Sequence, residues 1–364
     1  MMKQLCALCI LISTGLFSMT SAATVIPANS PHIQYLGRWD TTDPLHPKHS
    51  WPGVSIVAAF TGTSIGVRMT DSINYYNVTI DDSLHSVFHG TKSGEADYAL
   101  AENLPAGNHL LRLSLRNIAF DVVFSVGGIL LDDGATLLDP PLLPSRKIEF
   151  VGDSFTAAES DEAPIGSSLK WEDRFPVTNF DRGFAATIAR HYNAQCHATC
   201  RSGGGLFSDW QGKTDMTIPD LFDRTLMERK EPTWDFKQWV PDLVVVALGL
   251  NDHSGLKGKD GVVPDAKSAM FRKAYHEFLA RLRSVYPDVK IMAVAAPVEW
   301  IRANVEQVVK EERASGHKDI WYTYYDEFPE LYVSSGHPTA KTHALMAEEI
   351  IKAIDQAGIF ANQK

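Results

Sequence analysis

Residues 147–160 have the sequence K-I-E-F-V-G-D-S-F-T-A-A-E-S. The apolar run at 148–151 is typical of a strand that is covered on both faces, and Gly-Asp-Ser follows it directly. Two interpretations of Ser154 are open at this point. The serine is either the N-cap of a helix that follows the strand, or a nucleophile mounted at the edge of a sheet.

The sequence after this stretch repeats the same strand signal. Further apolar runs occupy 242–248 and 290–296, and the segment 266–286 carries a helical stripe of apolar residues between them. Two more helices are predicted at 182–192 and 338–354. Because strands and helices alternate, we predict a three-layer α/β domain with a parallel sheet over 147–364.

The sequence before this stretch has a different periodicity. In L-L-R-L-S-L-R at 110–116, leucines alternate with polar residues, and several other short alternating runs lie between 35 and 138. This pattern predicts an antiparallel β-sandwich, specifically a jelly roll, over 24–138. The next residues, D-P-P-L-L-P-S, contain three prolines that a sheet interior does not tolerate. We therefore predict a Pro-rich linker at 139–146 and a two-domain chain.

The first 23 residues differ from both predicted domains. One lysine precedes a short apolar stretch, and Ser21-Ala22-Ala23 supplies the small residues that signal peptidases prefer. The stretch is too short to span a bilayer. We expect a signal peptide at 1–23 and a mature protein that starts at Thr24, is secreted or periplasmic, and has no membrane span.

The chain carries 44 acidic and 34 basic residues, a formal net charge of −10. This balance disfavours a nucleic-acid partner, because phosphate binding needs clustered Lys and Arg. Cys196 and Cys200 form a C-H-A-T-C pattern, which leaves a local disulfide and two small buried residues as open alternatives. His197 has no second Cys/His cluster at zinc spacing, so we predict no metal site.

Four polar motifs follow predicted strands or open the last helix. They are Gly-Asp-Ser at 152–154, R-S-G-G-G-L at 201–206, G-L-N-D at 249–252 and G-H-P at 336–338. A parallel sheet gathers such segments at the carboxyl ends of its strands. Acyl transfer requires this set: a serine, an imidazole base and preorganised donors for an oxyanion. Suitable donors are the Ser154 N–H at a helix N-terminus, a glycine N–H of 203–205 and the Asn251 amide.

The order of these four motifs resembles that of the SGNH (GDSL-type) hydrolases. With Y-L-G-R-W-D at 35–40 and W-P-G-V-S-I at 51–56, the chain most resembles carbohydrate esterase family 2, in which a jelly roll precedes an SGNH domain. The resemblance implies an esterase that removes O-acetyl groups from plant cell-wall polysaccharides such as xylan or glucomannan, without a cofactor. It implies an acetylated polysaccharide or oligosaccharide as partner. It makes Ser154 the nucleophile, His337 the general base and then acid, and Ser154, Gly203 and Asn251 the oxyanion hole.

The sequence departs from this family just before the histidine. The two positions at which such enzymes carry an aspartate are Ser334 and Ser335. We therefore predict a Ser–His dyad in which a backbone carbonyl holds the His337 ring and fixes its tautomer. A carboxylate of Glu330 or Asp326 within hydrogen-bond reach of that ring would contradict the dyad.

A second departure affects the substrate site. The family tends to carry a tryptophan directly before the histidine, and this position is Gly336. The wall of the site must then come from elsewhere, and Trp210 and Trp300 are our candidates for substrate binding.

Two other functions remain as alternatives. One is a lipase or thioesterase on the same SGNH scaffold. The other is a catalytically degenerate carbohydrate-binding protein, which the missing aspartate and tryptophan would suggest. The jelly roll is either a sugar-binding module or a scaffold, and we favour the scaffold because a fold alone carries no function.

Overall fold

The structure is a computed structural model that describes residues 24–328, 332–333 and 336–361. The predicted signal peptide at 1–23 lies outside this part of the chain. The same is true of Glu330, Ser334 and Ser335.

Ten strands of the N-terminal part form two antiparallel sheets. They are β1 (Thr24–Pro27), β2 (Gln34–Leu36), β3 (Lys48–His49), β4 (Ser55–Gly62), β5 (Ile65–Thr70), β6 (Tyr75–Ile80), β7 (Ser83–His89), β8 (Ala96–Ala101), β9 (Gly107–Leu115) and β10 (Phe124–Leu131). One sheet has the order β1-β10-β5-β8, with β3 also paired to β10, and the other the order β2-β4-β9-β6-β7. The predicted antiparallel sandwich is confirmed.

Strand β9 packs its apolar side chains into the core and makes contacts with the C-terminal part of the chain through its polar side chains. Leu111, Leu113 and Leu115 are buried, as the pattern predicts. Their polar neighbours on the opposite face point toward the C-terminal part of the chain: Arg112 reaches Asp181 at 3.4 Å, and Arg116 is buried and pairs with Glu162. The polar face of this strand is therefore an internal contact surface.

The C-terminal part, which we call the α/β part, contains one parallel sheet and six α-helices within the described residues. The strands are β11 (Arg146–Gly152), β12 (Ala194–Cys200), β13 (Leu243–Ala247), β14 (Lys290–Ala295) and β15 (Ile320–Tyr324). The helices are α1 (Phe184–His191), α2 (Ile218–Phe222), α3 (Leu250–Leu256), α4 (Asp265–Val285), α5 (Glu299–Ala314) and α6 (Ala340–Gln356). The predicted two-domain fold with a parallel α/β domain is confirmed, while the exact domain boundaries stay a prediction.

The order of this sheet locates the place where a ligand would bind. The strands run β12-β11-β13-β14-β15, so the chain leaves β11 toward one neighbour and returns to the other side for β13. Ligands of open parallel sheets bind at the carboxyl ends of the strands where the order reverses. That point lies beyond Gly152 and Ala247, which are partners in the β11–β13 register.

The two parts of the chain are joined by buried polar contacts as well as by apolar packing. Arg38 donates to Glu149 of β11 at 2.8 Å, and both side chains are at most 1% exposed. The Pro-rich segment is hydrogen-bonded on both sides, since Gln34 of β2 donates to the Pro141 carbonyl at 3.1 Å and Gln195 of β12 to that of Pro144 at 2.7 Å. The segment is thus a strap between the sheets.

The structure decides between the two interpretations of the cysteines. Cys196 and Cys200 are four residues apart along strand β12. Their Cα atoms are therefore about 13 Å apart, whereas a disulfide needs less than about 7 Å. The disulfide alternative is wrong, and both residues are free thiols packed in the strand.

None of the described helices is long and apolar enough to cross a membrane.

Candidate active site

A cavity of about 460 Å³ opens at the carboxyl ends of β11 and β13. It is bounded by segments that are distant in sequence. Its lining residues are Phe120, Ser154, Glu159, Trp171, Arg174, Ser202, Gly203, Trp210, Asn251 and His337. All four residues to which the sequence assigned chemistry, and one of the two candidate tryptophans, therefore face one space.

Ser154 lies in a series of tight turns, two residues beyond the end of β11. The Asp153 carbonyl accepts from the Ala157 N–H and the Ser154 carbonyl from the Glu159 N–H, both at 3.0 Å. A Cβ on Gly152 would lie 1.9 Å from the Thr156 hydroxyl, so the turn folds closely over the strand end. No regular helix follows. The N-cap interpretation of Ser154 is wrong, as is the expectation that its N–H opens a helix.

Two left-handed residues prevent the segment after Ser154 from forming a regular helix. Ala158 has φ of 56° and Ser160 has φ of 62°. Non-glycine residues adopt such values at a cost, and they do not propagate a right-handed helix. The small, partly polar segment after the nucleophile position is thus a compact loop that returns over Ser154.

The glycine loop at 203–205 is held by one buried carboxylate. Asp252 accepts three backbone N–H bonds, from Leu206 at 2.9 Å, Phe207 at 2.7 Å and Ser208 at 2.9 Å. A Cβ on Gly205 would lie 2.0 Å from the Ser208 carbonyl oxygen and 2.7 Å from Asp252 Oδ2. The loop therefore has room only for glycine there, and Asp252 has a structural role in holding the loop.

Asn251 lies in the first turn of α3, directly after β13. Its side-chain amide donates to the Gly204 carbonyl at 2.9 Å and to Asp153 Oδ2 at 3.2 Å. Gly249 makes the tight strand-to-helix turn with φ of 129°. Asn251 thus ties the glycine loop to the segment of Ser154, and both of its N–H bonds have protein acceptors.

His337 precedes helix α6 and is two residues before the N-cap Thr339. Its ring lies 5.7 Å from the Phe155 ring, and its Nε2 lies 3.6 Å from Glu159 Oε1. Burial lowers the pKa of His337, the Glu159 carboxylate raises it, and Arg174 lowers it. The net effect lowers the pKa of His337, which favours a neutral imidazole near pH 7. The neutral ring is the form that accepts a proton.

A contact of the His337 ring with the carboxylate of Asp326 or Glu330 would contradict a dyad, and the structure describes the first of these residues. The Asp326 side chain is 66% exposed and faces Arg302 at 3.6 Å. Glu330 lies outside the described residues. The dyad stays a prediction.

The two candidate tryptophans lie in different environments. Trp210 is 57% exposed and borders the cavity beside Gly203, where a Cβ would lie 3.0 Å from its ring. Trp300 of α5 donates its indole N–H to Ser268 at 2.8 Å, and its ring packs 4.9 Å from that of Phe271. Trp300 is absent from the cavity lining within the described chain, so its predicted contact with substrate is not retained.

Several lining residues carried no sequence signal. Phe120 comes from the loop between β9 and β10 of the sandwich and stacks on Trp171 with ring centroids 4.6 Å apart. The Arg201 guanidinium lies over the same Phe120 ring at 4.3 Å. The sandwich thus supplies part of the cavity wall, which our scaffold interpretation did not include. Glu159 had one signal, since it is the first charged residue after Ser154.

Comparisons with known proteins agree with this architecture. The family model for the carbohydrate esterase 2 N-terminal region matches residues 35–141. The chain is 31% identical over 338 residues to the cellulase/esterase CelE of Acetivibrio thermocellus, covering 90% of this chain but only 39% of that protein. It is 27% identical over 363 residues to an acetylxylan esterase / glucomannan deacetylase of Cellvibrio japonicus, covering 93% of this chain and 92% of the relative.

Solved structures resemble the whole two-part chain. A family two carbohydrate esterase from Clostridium thermocellum, in complex with cellohexaose, superposes with a TM-score of 0.80 at 28% identity and covers 90% of this chain and 99% of that one. A family two esterase from Cellvibrio japonicus has a TM-score of 0.82 at 25% identity, covering 93% and 98%. On sequence and fold together, the chain belongs to carbohydrate esterase family 2, among the SGNH hydrolases.

Proposed function

We propose that this protein is a serine esterase that removes O-acetyl groups from plant cell-wall polysaccharides such as xylan or glucomannan. The observation that carries the proposal is the cavity at the sheet edge. It brings Ser154, Gly203, Asn251 and His337 together from four separate segments. Support also comes from the relatives, which include an acetylxylan esterase / glucomannan deacetylase and an esterase solved with cellohexaose.

In the acylation half of the proposed reaction, His337 takes the proton of the Ser154 hydroxyl while the oxygen bonds to the acetyl carbonyl carbon. The carbonyl oxygen becomes an oxyanion. As this intermediate collapses, the bond between the acetyl carbon and the sugar oxygen breaks, and His337 returns its proton to the leaving sugar hydroxyl. The acetyl group stays on Ser154.

In the deacylation half, His337 takes a proton from water, and the hydroxide adds to the acetyl carbon. The second intermediate releases Ser154, whose oxygen regains the proton from His337, and acetic acid leaves and ionises to acetate in water. The balance of this hydrolysis requires only water, so the proposed reaction needs no cofactor.

The proposed oxyanion donors are the N–H groups of Ser154 and Gly203 and the side-chain amide of Asn251. Asn251 already donates to Gly204 and to Asp153, and the bond to Asp153 is the longer one at 3.2 Å. We propose that the oxyanion replaces this longer bond. Its loss is compensated by a charge-assisted bond to the developing negative oxygen.

The proposed substrate is an uncharged, acetylated sugar polymer or oligosaccharide. Trp210 stands on one side of the cavity opening and is largely exposed, and the stacked Phe120–Trp171 pair is a second apolar surface. Aromatic rings offer sugars a flat apolar face with little loss of side-chain entropy. These rings take the place of the tryptophan that the family tends to carry before its histidine.

Export is a further part of the proposal, based on the predicted signal peptide at 1–23. N-terminal sequencing of the protein recovered from the medium or the periplasm tests it. We expect the mature chain to start at Thr24. An intact Met1 in protein from the cytoplasmic fraction, with none outside, would contradict export.

The decisive experiment compares wild type with Ser154→Ala on 4-nitrophenyl acetate, butyrate and octanoate, and on acetylated xylan and glucomannan. We expect acetyl preference in the wild type and a loss of kcat of at least about a thousandfold in the variant, because removing the nucleophile leaves only binding and oxyanion stabilisation. Ser93→Ala, an exposed serine of the sandwich, is the matched control.

Each other outcome identifies a different function. Unchanged activity in Ser154→Ala would remove the serine mechanism. A preference for octanoate would favour the lipase or thioesterase alternative. A wild type that binds oligosaccharides without hydrolysing any ester would favour the binding protein.

A further inference from the structure

Glu159 is a buried acid in the cavity that the proposed reaction leaves without a role. Its side chain is 3% exposed and accepts a hydrogen bond from Arg174 Nη1. The same Oε1 atom lies 3.6 Å from His337 Nε2. Glu159, Arg174 and His337 all line the cavity beside Ser154.

The backbone places Glu159 in this position. Its N–H donates to the Ser154 carbonyl at 3.0 Å, so the loop after the serine turns back toward the cavity. The left-handed residues Ala158 and Ser160 flank it, and the Ser160 N–H is held by the Thr178 hydroxyl at 2.9 Å. Because both neighbours are fixed, the carboxylate has little freedom to move away from the ring.

Arg174 fixes the carboxylate from the other side. It lies in a short 3₁₀ helix at 172–177 and also donates to the Leu169 carbonyl at 3.4 Å. Its guanidinium lies 6.0 Å from the Trp171 ring. A buried ion pair of this kind is costly to desolvate, and such pairs are stable only with good geometry and further hydrogen bonds.

The proposed reaction creates a positive charge beside this pair. The His337 side chain is only 14% exposed, and burial disfavours its charged form. Titratable groups of the described chain that act on its ring include Glu159, Arg174 and His343 of α6. His343 is itself buried, and burial lowers its pKa to about 3, so it stays neutral. Glu159 is the acid among these groups.

Building on the proposed esterase function, we propose that Glu159 is a positioning residue: its carboxylate, held by Arg174, faces Nε2 of His337 and stabilises the imidazolium. At 3.6 Å the contact is longer than a hydrogen bond to a neutral ring. When the ring takes the Ser154 proton, the same two atoms become an ion pair in a poorly hydrated site. The Glu159 carboxylate acts on Nε2, on the cavity side of the ring. It is therefore compatible with the predicted bond between Nδ1 and a backbone carbonyl.

The two members of the pair predict opposite effects on the pH profile of kcat/KM for 4-nitrophenyl acetate. Glu159→Gln removes the group that raises the pKa of His337, so the acid limb moves to lower pH and the plateau rate falls about ten- to hundredfold. Arg174→Gln removes a group that lowers this pKa, so the acid limb moves to higher pH. A purely structural role would lower the rate without these opposite shifts.

Matched variants separate charge from shape. Glu172→Gln makes the same change at an exposed acid on the same 3₁₀ helix, and we expect no shift of the acid limb. Glu159→Asp keeps the charge and should recover part of the activity lost in Glu159→Gln. Circular dichroism and Tm measurements establish which variants are folded. If Glu159→Gln does not fold, the pH profiles of Glu159→Asp and Arg174→Gln provide the test.

An NMR titration of the histidine rings gives a readout that needs no turnover. In Ser154→Ala, with the His337 signal assigned by His337→Gln, we expect Glu159→Gln to lower the pKa of the imidazole. If folded Glu159→Gln showed an unchanged His337 pKa and an unchanged acid limb, the role of Glu159 would be overturned, but the proposed esterase function would not. A wild type without esterase activity would overturn the proposed function, while the titration would still decide whether Glu159 acts on His337.

Discussion

At the scale of single residues, Asp153 shows how burial next to a reactive group changes an acid. It directly precedes Ser154, is almost completely buried, and accepts the Phe155 N–H at 3.0 Å and the Asn251 amide at 3.2 Å. Burial raises the pKa of Asp153 to about 7, and the nearby Asp252 and Glu159 carboxylates contribute in the same direction. The Phe155 contact is a local bond from the backbone to the side chain, of the kind that aspartates commonly make in turns.

This raised pKa predicts a pH dependence of stability. An acid with a raised folded pKa contributes stability that is present below its unfolded pKa, about 4, and is lost as the pH rises through about 7. We expect the free energy of unfolding in urea, followed from pH 5 to pH 8, to have a more negative slope in the wild type than in Asp153→Asn. Buried histidines such as His49 and His343, whose pKa values burial lowers, contribute the opposite slope equally in both proteins, so the difference between the two slopes is the test. The exposed Asp133→Asn serves as control and should keep the wild-type slope. Equal slopes in all three proteins would contradict the assignment.

At the scale of secondary structure, the sequence located the regular elements well and the turns poorly. The apolar runs at 148–151, 242–248 and 290–296 correspond to Arg146–Gly152, Leu243–Ala247 and Lys290–Ala295. The helical stripe at 266–286 corresponds to Asp265–Val285. Periodicity reports which face is buried, so it works where an element packs against a core. The loop after Ser154 has no such period, and its left-handed residues are set by contacts with distant segments.

Strand β12 predicts the redox behaviour of the cysteines. Because Cys196 and Cys200 are four positions apart in an extended strand, an intramolecular disulfide would require the strand to break. We expect both thiols to be alkylated by iodoacetamide under denaturing conditions without reductant, as measured by intact mass. Burial raises the pKa of both thiols, so the native protein should react slowly. A mass shift that appears only after reduction would contradict this prediction.

At the scale of the whole molecule, the sandwich and the α/β part share a polar interface. Besides its pair with Glu149, the Arg38 guanidinium donates to the Arg224 carbonyl at 3.0 Å and lies among the rings of Trp51, Phe222, Trp234 and Phe236. Arg116 makes a second buried contact, with Glu162. The loop that carries Phe120 to the cavity is connected to the α/β part by Asp121, which pairs with Arg229.

Removing one partner of the buried Arg38–Glu149 pair should lower the free energy of unfolding far more than removing one partner of an exposed pair. We expect Arg38→Ala to lower the free energy of unfolding by about 3–5 kcal/mol, because it leaves Glu149 charged and buried. Arg281 pairs with Asp223 at the same 2.8 Å, but both side chains are more than 40% exposed. Arg281→Ala should therefore cost at most about 1 kcal/mol. Urea unfolding of both variants checks the difference, and similar losses would show that the interface does not depend on this pair.

The sequence by itself determined the fold class, the four motifs and the family resemblance. Each of these depends on local composition or on periodicity along one segment. Only the tertiary structure decided that Phe120 and Trp171 form a wall of the cavity, that Trp300 packs elsewhere, and that the cysteines cannot pair. It also placed the Glu159 carboxylate against His337. The physical reason is that the cavity wall, the Trp300 packing and the Glu159–His337 contact each join segments that are distant in sequence, so they depend on how the sheets, helices and turns pack. The separation of the cysteines depends on the extended strand that the sheet imposes on 194–200.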